Sequence, residues 1–143
     1  MKTARYLNSN IDPNIHAPVR ISLGVPKFKL PYEIADAWDF LMPESDMLTV
    51  KEYESYKVQY FKLLEYREAD KLVRTDYGGK EPVLLCFEDI RKPSLWCHRR
   101  MFAEWYEMKI GRVVEELEEA DPIQWSKAEL KAMRDTSEGR LFE

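Results

Sequence analysis

The chain has 143 residues, of which 45% are hydrophobic and 34% are charged, and its formal net charge is −4. This length and composition predict one packed domain and exclude a largely disordered chain. The negative net charge argues against a protein that coats nucleic acid through bulk electrostatics, because that affinity requires many basic side chains on the phosphates.

The sequence also bears on location and redox state. It contains no apolar run of about 18 residues, the length that a membrane span needs, and its N-terminus lacks the apolar core of a secretion signal. We therefore expect a cytoplasmic protein with no membrane partner. The two cysteines, Cys86 and Cys97, are more typical of reduced thiols than of a disulfide scaffold.

Hydrophobic periodicity predicts strands and then helices in the first half of the chain. The alternation of Val19, Ile21 and Leu23 is typical of a strand, whereas helical spacing begins near residue 34 and stops at Pro43. In chain order, the patterns predict a strand over 3–7, a loop with His16 over 8–18, a strand over 18–23 and a short helix over 34–41. A longer helix is predicted over 49–64. Residues 72–73 either extend this helix or form another one.

The second half contains a continuous apolar run, PVLLCF at 82–87, which is typical of a strand buried on both faces of a parallel sheet. A helix is predicted to follow and to end at Gly111, before a further strand over 113–117. The last predicted helix covers 126–134, with Ser126 as its N-cap and Glu129 completing a capping box.

This succession of strands and helices predicts an α/β fold. We expect a small three-layer sandwich with a mainly parallel sheet flanked by helices, which is a Rossmann-like architecture. Residues 1–120 are predicted to form this domain and residues 121–143 a C-terminal helical extension. The sequence has neither a Walker loop nor a dinucleotide-type glycine triplet.

The chemistry-bearing residues concentrate where the buried strand ends at Glu88 and where the next helix begins, at the run Cys97-His98-Arg99-Arg100. Ligands of open α/β sheets bind at the carboxyl ends of strands, and a helix N-terminus with two guanidinium groups favours an anion. The sequence therefore predicts a site for a phosphorylated or other anionic ligand, such as a nucleotide or a nucleic-acid end. Cys97, His98 and Glu88 are the candidate catalytic residues, as a thiolate nucleophile and its acid-base partners.

Further candidate ligand contacts lie in residues 1–32, which carry five basic residues and one acidic residue. From this segment we predict that Lys27, Arg20 and Tyr6 contact the ligand. Scattered lysines in solvent are the alternative explanation.

Each site candidate has a structural alternative. Cys86 lies inside the apolar run and is better explained as core packing, and Cys97 with His98 fits equally a buried thiol beside a packed imidazole. Glu88 fits an ion pair with Arg99 or Arg100. Arg100 also stands four residues before Glu104, a spacing typical of a pair on one helix face.

Four residues carry the donors that a transition metal prefers: His16, Cys86, Cys97 and His98. They lack the paired spacing of a zinc module. The sequence therefore predicts no metal site and no cofactor, and a metal enzyme stays open only as a further alternative.

The most specific motifs are LLCFE at 84–88 and WCHRRMFAEWYE at 96–107, supported by VRISLGVPKF at 19–28. With these motifs the chain resembles, over residues 3–117, the domain of unknown function 488 family, which comprises bacterial, archaeal and phage proteins with a Cys-His-Arg signature. The resemblance implies a Rossmann-like fold and no established activity. The family pattern falls here on Gly24, Pro26, Lys27, Cys86, Glu88, Cys97, His98, Arg99, Glu104 and Trp105. The chain departs from it between Glu88 and Cys97 and before Gly79.

Two functions fit the sequence. The first is the binding of the anionic ligand, with or without catalysis, at the Cys97-His98-Arg99 helix N-terminus. The second is a non-catalytic accessory or phage-type module that acts by macromolecular interaction, which the four tryptophans and the acidic C-terminal part motivate and which allows a protein partner. The sequence predicts no oligomeric state.

Overall fold

The computed structural model describes residues 1–141, with side chains as far as residue 135. Within this part of the chain there are five strands and three α-helices. The strands are β1 (Lys2–Arg5), β2 (His16–Arg20), β3 (Asp36–Ala37), β4 (Glu81–Cys86) and β5 (Glu115–Glu116). The helices are α1 (Tyr53–Arg67), α2 (His98–Ile110) and α3 (Lys127–Leu141), and short 3-10 turns cover Asp39–Leu41, Ser45–Thr49 and Ala69–Lys71.

The five strands form one sheet in the order β3-β2-β4-β1-β5, and every pair is parallel. The central strand is the predicted apolar run, in which Val83, Leu84 and Leu85 are fully buried. Cys86 pairs with Arg5 of β1, and Leu85 pairs with Arg20 of β2, so the carboxyl ends of three strands meet at one edge. The predicted α/β fold with a parallel sheet is confirmed.

The two faces of the sheet are covered differently. On one face, α1 and α2 bury aromatic side chains, among them Tyr60 and Phe102, against Val19 and Leu84 of the sheet. On the other face, the apolar cluster of described residues joins Tyr6 and Val83 to residues outside the helices, such as Ile11 and Tyr32. Helices therefore supply one outer layer and loop segments the other.

The predicted elements of the second half are confirmed most closely. Helix α2 ends at Gly111, which has the positive φ of 81° that glycine adopts without strain. The capping box of α3 is present, since Glu129 N–H donates to Oγ of Ser126 and Ser126 N–H donates to a carboxylate oxygen of Glu129, each at 3.0 Å. The predicted strand over 113–117 shortens to Glu115–Glu116.

The predicted helix over 34–41 is wrong. Ala35 N–H donates to the carbonyl of Pro18 and Trp38 N–H to that of Arg20, so this segment adds β3 to the edge of the sheet before a single 3-10 turn. Local spacing suggested a helix, but the open edge of β2 offered a hydrogen-bonding partner and Pro43 stopped any extension. His16 was also misplaced, because it begins β2 rather than lying in a loop.

The segment after residue 120 has few contacts with the sheet. Lys92 binds Glu129 of α3 at 3.0 Å and lies over the ring of Trp125. The predicted boundary at residue 120 stays a prediction, and residues 142–143 of the predicted extension lie outside the described residues. Among the described helices, none has the length and apolar character that a membrane crossing requires.

Candidate functional site

A cavity of about 380 Å³ opens at the carboxyl ends of β2 and β4. Its wall consists of residues 22–24 after β2, several residues from 43 to 51 before α1, and the two ends of the 86–98 connection between β4 and α2. We call this the site cavity. It lies at the edge of the sheet where the sequence predicted a ligand site.

The cavity floor is built where β4 stops and α2 starts. Cys86 is the last residue of β4, and Cys97 is the N-cap of α2 with an extended backbone (φ −143°, ψ 144°). Trp96 fixes the end of the connection, because its ring packs 4.8 Å from the ring of Tyr56 on α1. His98, the first residue of α2, therefore lies beside both cysteines.

His98 is held in one orientation. Its Nε2 lies 2.7 Å from the carbonyl oxygen of Ile21, which can only accept, so Nε2 carries a proton. The edge of the ring is packed against Tyr60, with centroids 5.5 Å apart. Nδ1 consequently faces the sulfurs, 3.6 Å from Cys86 and 3.8 Å from Cys97.

The two thiols have opposite electrostatic surroundings. Burial opposes ionisation of Cys97, but the hydrogen bond from Cys86 and the positive charge of His98 outweigh it, and the pKa of the Cys97 thiol lies well below its ordinary value. Burial and the neighbouring Cys97 sulfur raise the pKa of Cys86 well above its ordinary value. Burial lowers the pKa of His98, but the charge on Cys97 more than offsets this and raises it overall. The two shifts act in the same sense, since each charge favours the other across the contact between Cys97 and His98.

Glu88 completes the floor of the site cavity. Its Oε2 lies 3.5 Å from Sγ of Cys86. Burial and the charge on Cys97 raise the pKa of the Glu88 carboxyl, which favours its protonated form. The predicted catalytic residues Cys97, His98 and Glu88 thus come together, and Cys86, which is buried as predicted, lines the same cavity.

Arg99 supports this floor from beneath. It is fully buried, its Nε and Nη2 donate to the carboxylate of Glu116, and Nη2 also donates to the carbonyl of Glu88 at 2.9 Å. Its Nη1 has no hydrogen-bond partner among the described residues. The alternative ion pair between Glu88 and Arg99 is not formed, because the arginine meets only the backbone of Glu88.

Arg100 is also engaged within the fold, since Nη1 donates to Oγ1 of Thr3 and to the carbonyl of Val114. The expected helix pair with Glu104 is replaced by a contact of Glu104 with Lys57 on α1, at 2.6 Å. The expectation that Arg99 and Arg100 face a ligand is corrected here: neither side chain lines the site cavity, because internal acceptors hold both.

The other three predicted ligand contacts also lie outside the cavity wall. Lys27 is exposed on the loop after β2. Arg20 donates from Nη1 to the carbonyls of Ser22 and Leu23, and the buried Tyr6 hydroxyl pairs with Oγ of Ser22 at 2.6 Å. Burial raises the pKa of Tyr6 to about 12. Arg20 and Tyr6 therefore shape the loop that forms one wall of the cavity, rather than contacting its interior.

Sequence reasoning missed two groups. Lys51 supplies a cation on the cavity wall, but it precedes α1 in a polar stretch whose pattern gives no sign of this. Half-exposed apolar side chains also line the wall, namely Leu23, Leu48, Phe87 and Leu95. Their isolated positions in the sequence could not have shown that they meet.

Three of the four candidate metal donors come together. One donor atom each from Cys86, Cys97 and His98 lies within 4.8 Å of the other two. His16 is not part of this group, because it begins β2 at the opposite end of the sheet, where its Nδ1 accepts a hydrogen bond from the N–H of Asp12 at 2.9 Å.

Comparisons of the chain with protein-family models, with curated proteins and with solved structures found no match. The resemblance to the domain of unknown function 488 family is therefore still a prediction from its motifs.

Proposed function

We propose that the chain binds a small ligand with an anionic group, of phosphoryl or carboxyl type, in the site cavity, and that Cys97, His98 and Glu88 act on it. The observation that carries this proposal is the convergence of these three side chains with Cys86 on the floor of one cavity at the carboxyl ends of β2 and β4. The carboxyl ends of parallel strands are where open α/β sheets bind their ligands.

The dimensions and charges of the cavity support a small ligand. Its volume of about 380 Å³ falls in the range of roughly 300–1,000 Å³ that small-molecule sites occupy. Lys51 on the wall and the first-turn N–H groups of α2 favour a negative charge.

Protection of the Cys97 thiol tests the proposal. The full chain is alkylated with iodoacetamide at one pH, with and without inorganic phosphate or a nucleoside monophosphate, and the modified cysteine is identified by peptide mass mapping. We expect either anion to slow the alkylation of Cys97 and to raise the melting temperature. Cys86→Ser and Cys97→Ser assign the reaction to one sulfur.

A pair of lysine variants gives the matched control. Lys51 lines the cavity and Lys27 does not. Loss of one hydrogen bond to a charged group costs about 1.5 kcal/mol, or roughly tenfold in affinity. Lys51→Met should therefore need about tenfold more phosphate for the same protection, whereas Lys27→Met should behave as the wild type. The proposal is rejected if neither anion affects the alkylation rate or the melting temperature.

A second candidate function is interaction with another protein across the mouth of the cavity. The observation that favours it is the exposure of the apolar wall, where Leu48 is 56% exposed and Phe87 is 40% exposed. The alkylation experiment separates the two candidates. Thiols that stay inert in the folded chain, together with no effect of phosphate, would favour a protein partner over a small ligand.

A further inference from the structure

The floor of the site cavity holds a set of donors that suits a transition metal. Cys86 and Cys97 supply sulfur and His98 supplies Nδ1, and all three residues are buried. They come from two elements, the end of β4 and the start of α2, so the fold itself places them together.

The distances between the donor atoms match those around a tetrahedral zinc ion. With Zn–S of about 2.3 Å and Zn–N of about 2.05 Å, tetrahedral geometry sets a sulfur and a nitrogen about 3.6 Å apart. Nδ1 of His98 lies 3.6 Å from Sγ of Cys86 and 3.8 Å from Sγ of Cys97. The two sulfur–nitrogen edges of a zinc site are thus already present in the fold.

The orientation of His98 fits a metal ligand as well. Histidines that bind metals donate their other ring N–H to a carboxylate or a backbone carbonyl, which fixes the tautomer and aims the lone pair at the ion. Here Nε2 donates to the carbonyl of Ile21 at 2.7 Å, so Nδ1 presents its lone pair toward the two sulfurs when the imidazole is neutral.

We propose that Cys86, Cys97 and His98 bind one Zn²⁺ and leave its fourth position open to the site cavity. Thiolate donors select zinc over magnesium or calcium, and three protein ligands with an open position are typical of catalytic rather than structural zinc. All three ligands line the cavity, so an additional ligand can reach the ion. This inference rests on the proposed ligand site and deepens it, because the ion would supply the positive charge for an anion that Arg99 and Arg100, held by internal acceptors, do not supply. With zinc bound, Cys97 and His98 would hold the ion instead of acting on the ligand directly, and Glu88 would keep its place beside the ligand.

Cobalt uptake by the full chain tests the proposal. The reduced protein is freed of metal by a chelator under anaerobic conditions and titrated with Co²⁺, and Zn²⁺ is then added in competition. We expect one Co²⁺ per chain, with the visible bands of a tetrahedral ion and the near-ultraviolet charge-transfer band of thiolate ligands, and displacement by one equivalent of Zn²⁺.

Variants assign the ligands. Cys86→Ser and Cys97→Ser should each lose much of the thiolate charge-transfer band, and His98→Gln should weaken cobalt uptake. His16→Gln is the matched control, because His16 lies at the other end of β2 and should leave the titration unchanged. Far-UV circular dichroism of each variant checks that it is folded, and the wild-type spectrum decides the question on its own if a cysteine variant does not fold.

Two outcomes would overturn the metal site: a folded, reduced wild type that takes up neither Co²⁺ nor Zn²⁺, or a Cys86→Ser/Cys97→Ser double variant that binds them as the wild type does. Inorganic phosphate separates the two proposals. One result would be that the cobalt bands form but that phosphate changes neither these bands nor the alkylation rate. This result would support the metal site and reject the anionic ligand. Protection by phosphate without any metal uptake supports the ligand and rejects the metal.

Discussion

The two ends of the sheet each carry a cavity and a buried histidine, but only at one end does the histidine lie beside thiols. At the amino end, a cavity of about 640 Å³ is lined by His16, Glu33, Tyr77 and Lys80 together with apolar residues such as Pro18. At the carboxyl end, the smaller cavity of about 380 Å³ places His98 beside two thiols and a carboxyl group. The difference between the two ends therefore lies in the groups around each histidine and not in the volume of the cavity.

The difference follows from what each end is made of. At the carboxyl end, β4 stops, α2 begins after its N-cap Cys97, whose side chain makes no capping hydrogen bond, and the connection between them returns to the same edge. At the amino end, His16 makes a local hydrogen bond to Asp12 that closes a turn. His98 therefore faces two sulfur atoms, whereas His16 accepts a hydrogen bond from a backbone N–H.

Blocking each cavity with the same side chain gives the largest expected contrast. Ser94 lies on the wall of the site cavity and Ala35 on that of the amino-end cavity, and both are exposed. Ser94→Trp should abolish the protection of Cys97 by phosphate, because the indole occupies the mouth of the cavity. Ala35→Trp should leave that protection unchanged. The measurement is the iodoacetamide rate with and without phosphate.

Both substitutions are at exposed positions, so each should change the free energy of unfolding by less than about 0.5 kcal/mol. Urea unfolding checks this before the rates are compared. The assignment of the ligand to the carboxyl end would be wrong if Ala35→Trp removed the protection and Ser94→Trp kept it.

The sequence predicted the parallel α/β fold and the meeting of Cys97, His98 and Glu88, because both follow from one local pattern: an apolar run that ends in an acid, followed by a helix start. The sequence could not show that Arg99 and Arg100 form hydrogen bonds inside the fold instead of facing the cavity. Their internal acceptors, Glu116 and Val114, come from beyond the end of α2 and meet them only in the folded chain.

The edge strand β3 and the backbone carbonyl that orients His98 could not be predicted either, because both depend on contacts in the folded chain. Residues 34–41 have helical spacing, but two of them pair with the free edge of β2 and form β3. This pairing is a tertiary contact, and the periodicity of the sequence carries no information about it. The carbonyl of Ile21, which orients His98, is a backbone atom that no side-chain pattern reveals.

The second largest effect is expected from the buried charge of Arg99 at the carboxyl end of the sheet. Burial lowers the pKa of Arg99, but the hydrogen bonds that it donates to the carboxylate of Glu116 more than offset this and keep the guanidinium charged. Glu116→Ala leaves that charge uncompensated and should cost about 3 kcal/mol of unfolding free energy. Glu115→Ala, next to it but with a side chain 72% exposed, should cost less than about 0.5 kcal/mol. Urea unfolding measures both variants, and equal losses would contradict the supporting role of Arg99.

The amino end depends instead on a neutral hydrogen bond, so its removal should have a smaller effect. His16 is buried, and His16→Leu would leave the N–H of Asp12 without its acceptor, at a cost of about 1–2 kcal/mol. His16→Asn keeps an acceptor at this position and should recover part of the loss in urea unfolding. Neither variant should alter the alkylation rate of Cys97, because His16 and the thiols lie at opposite ends of the sheet. A change in that rate for the folded His16→Asn protein would mean that the two ends are coupled, and the contrast between a structural and a reactive histidine would then fail.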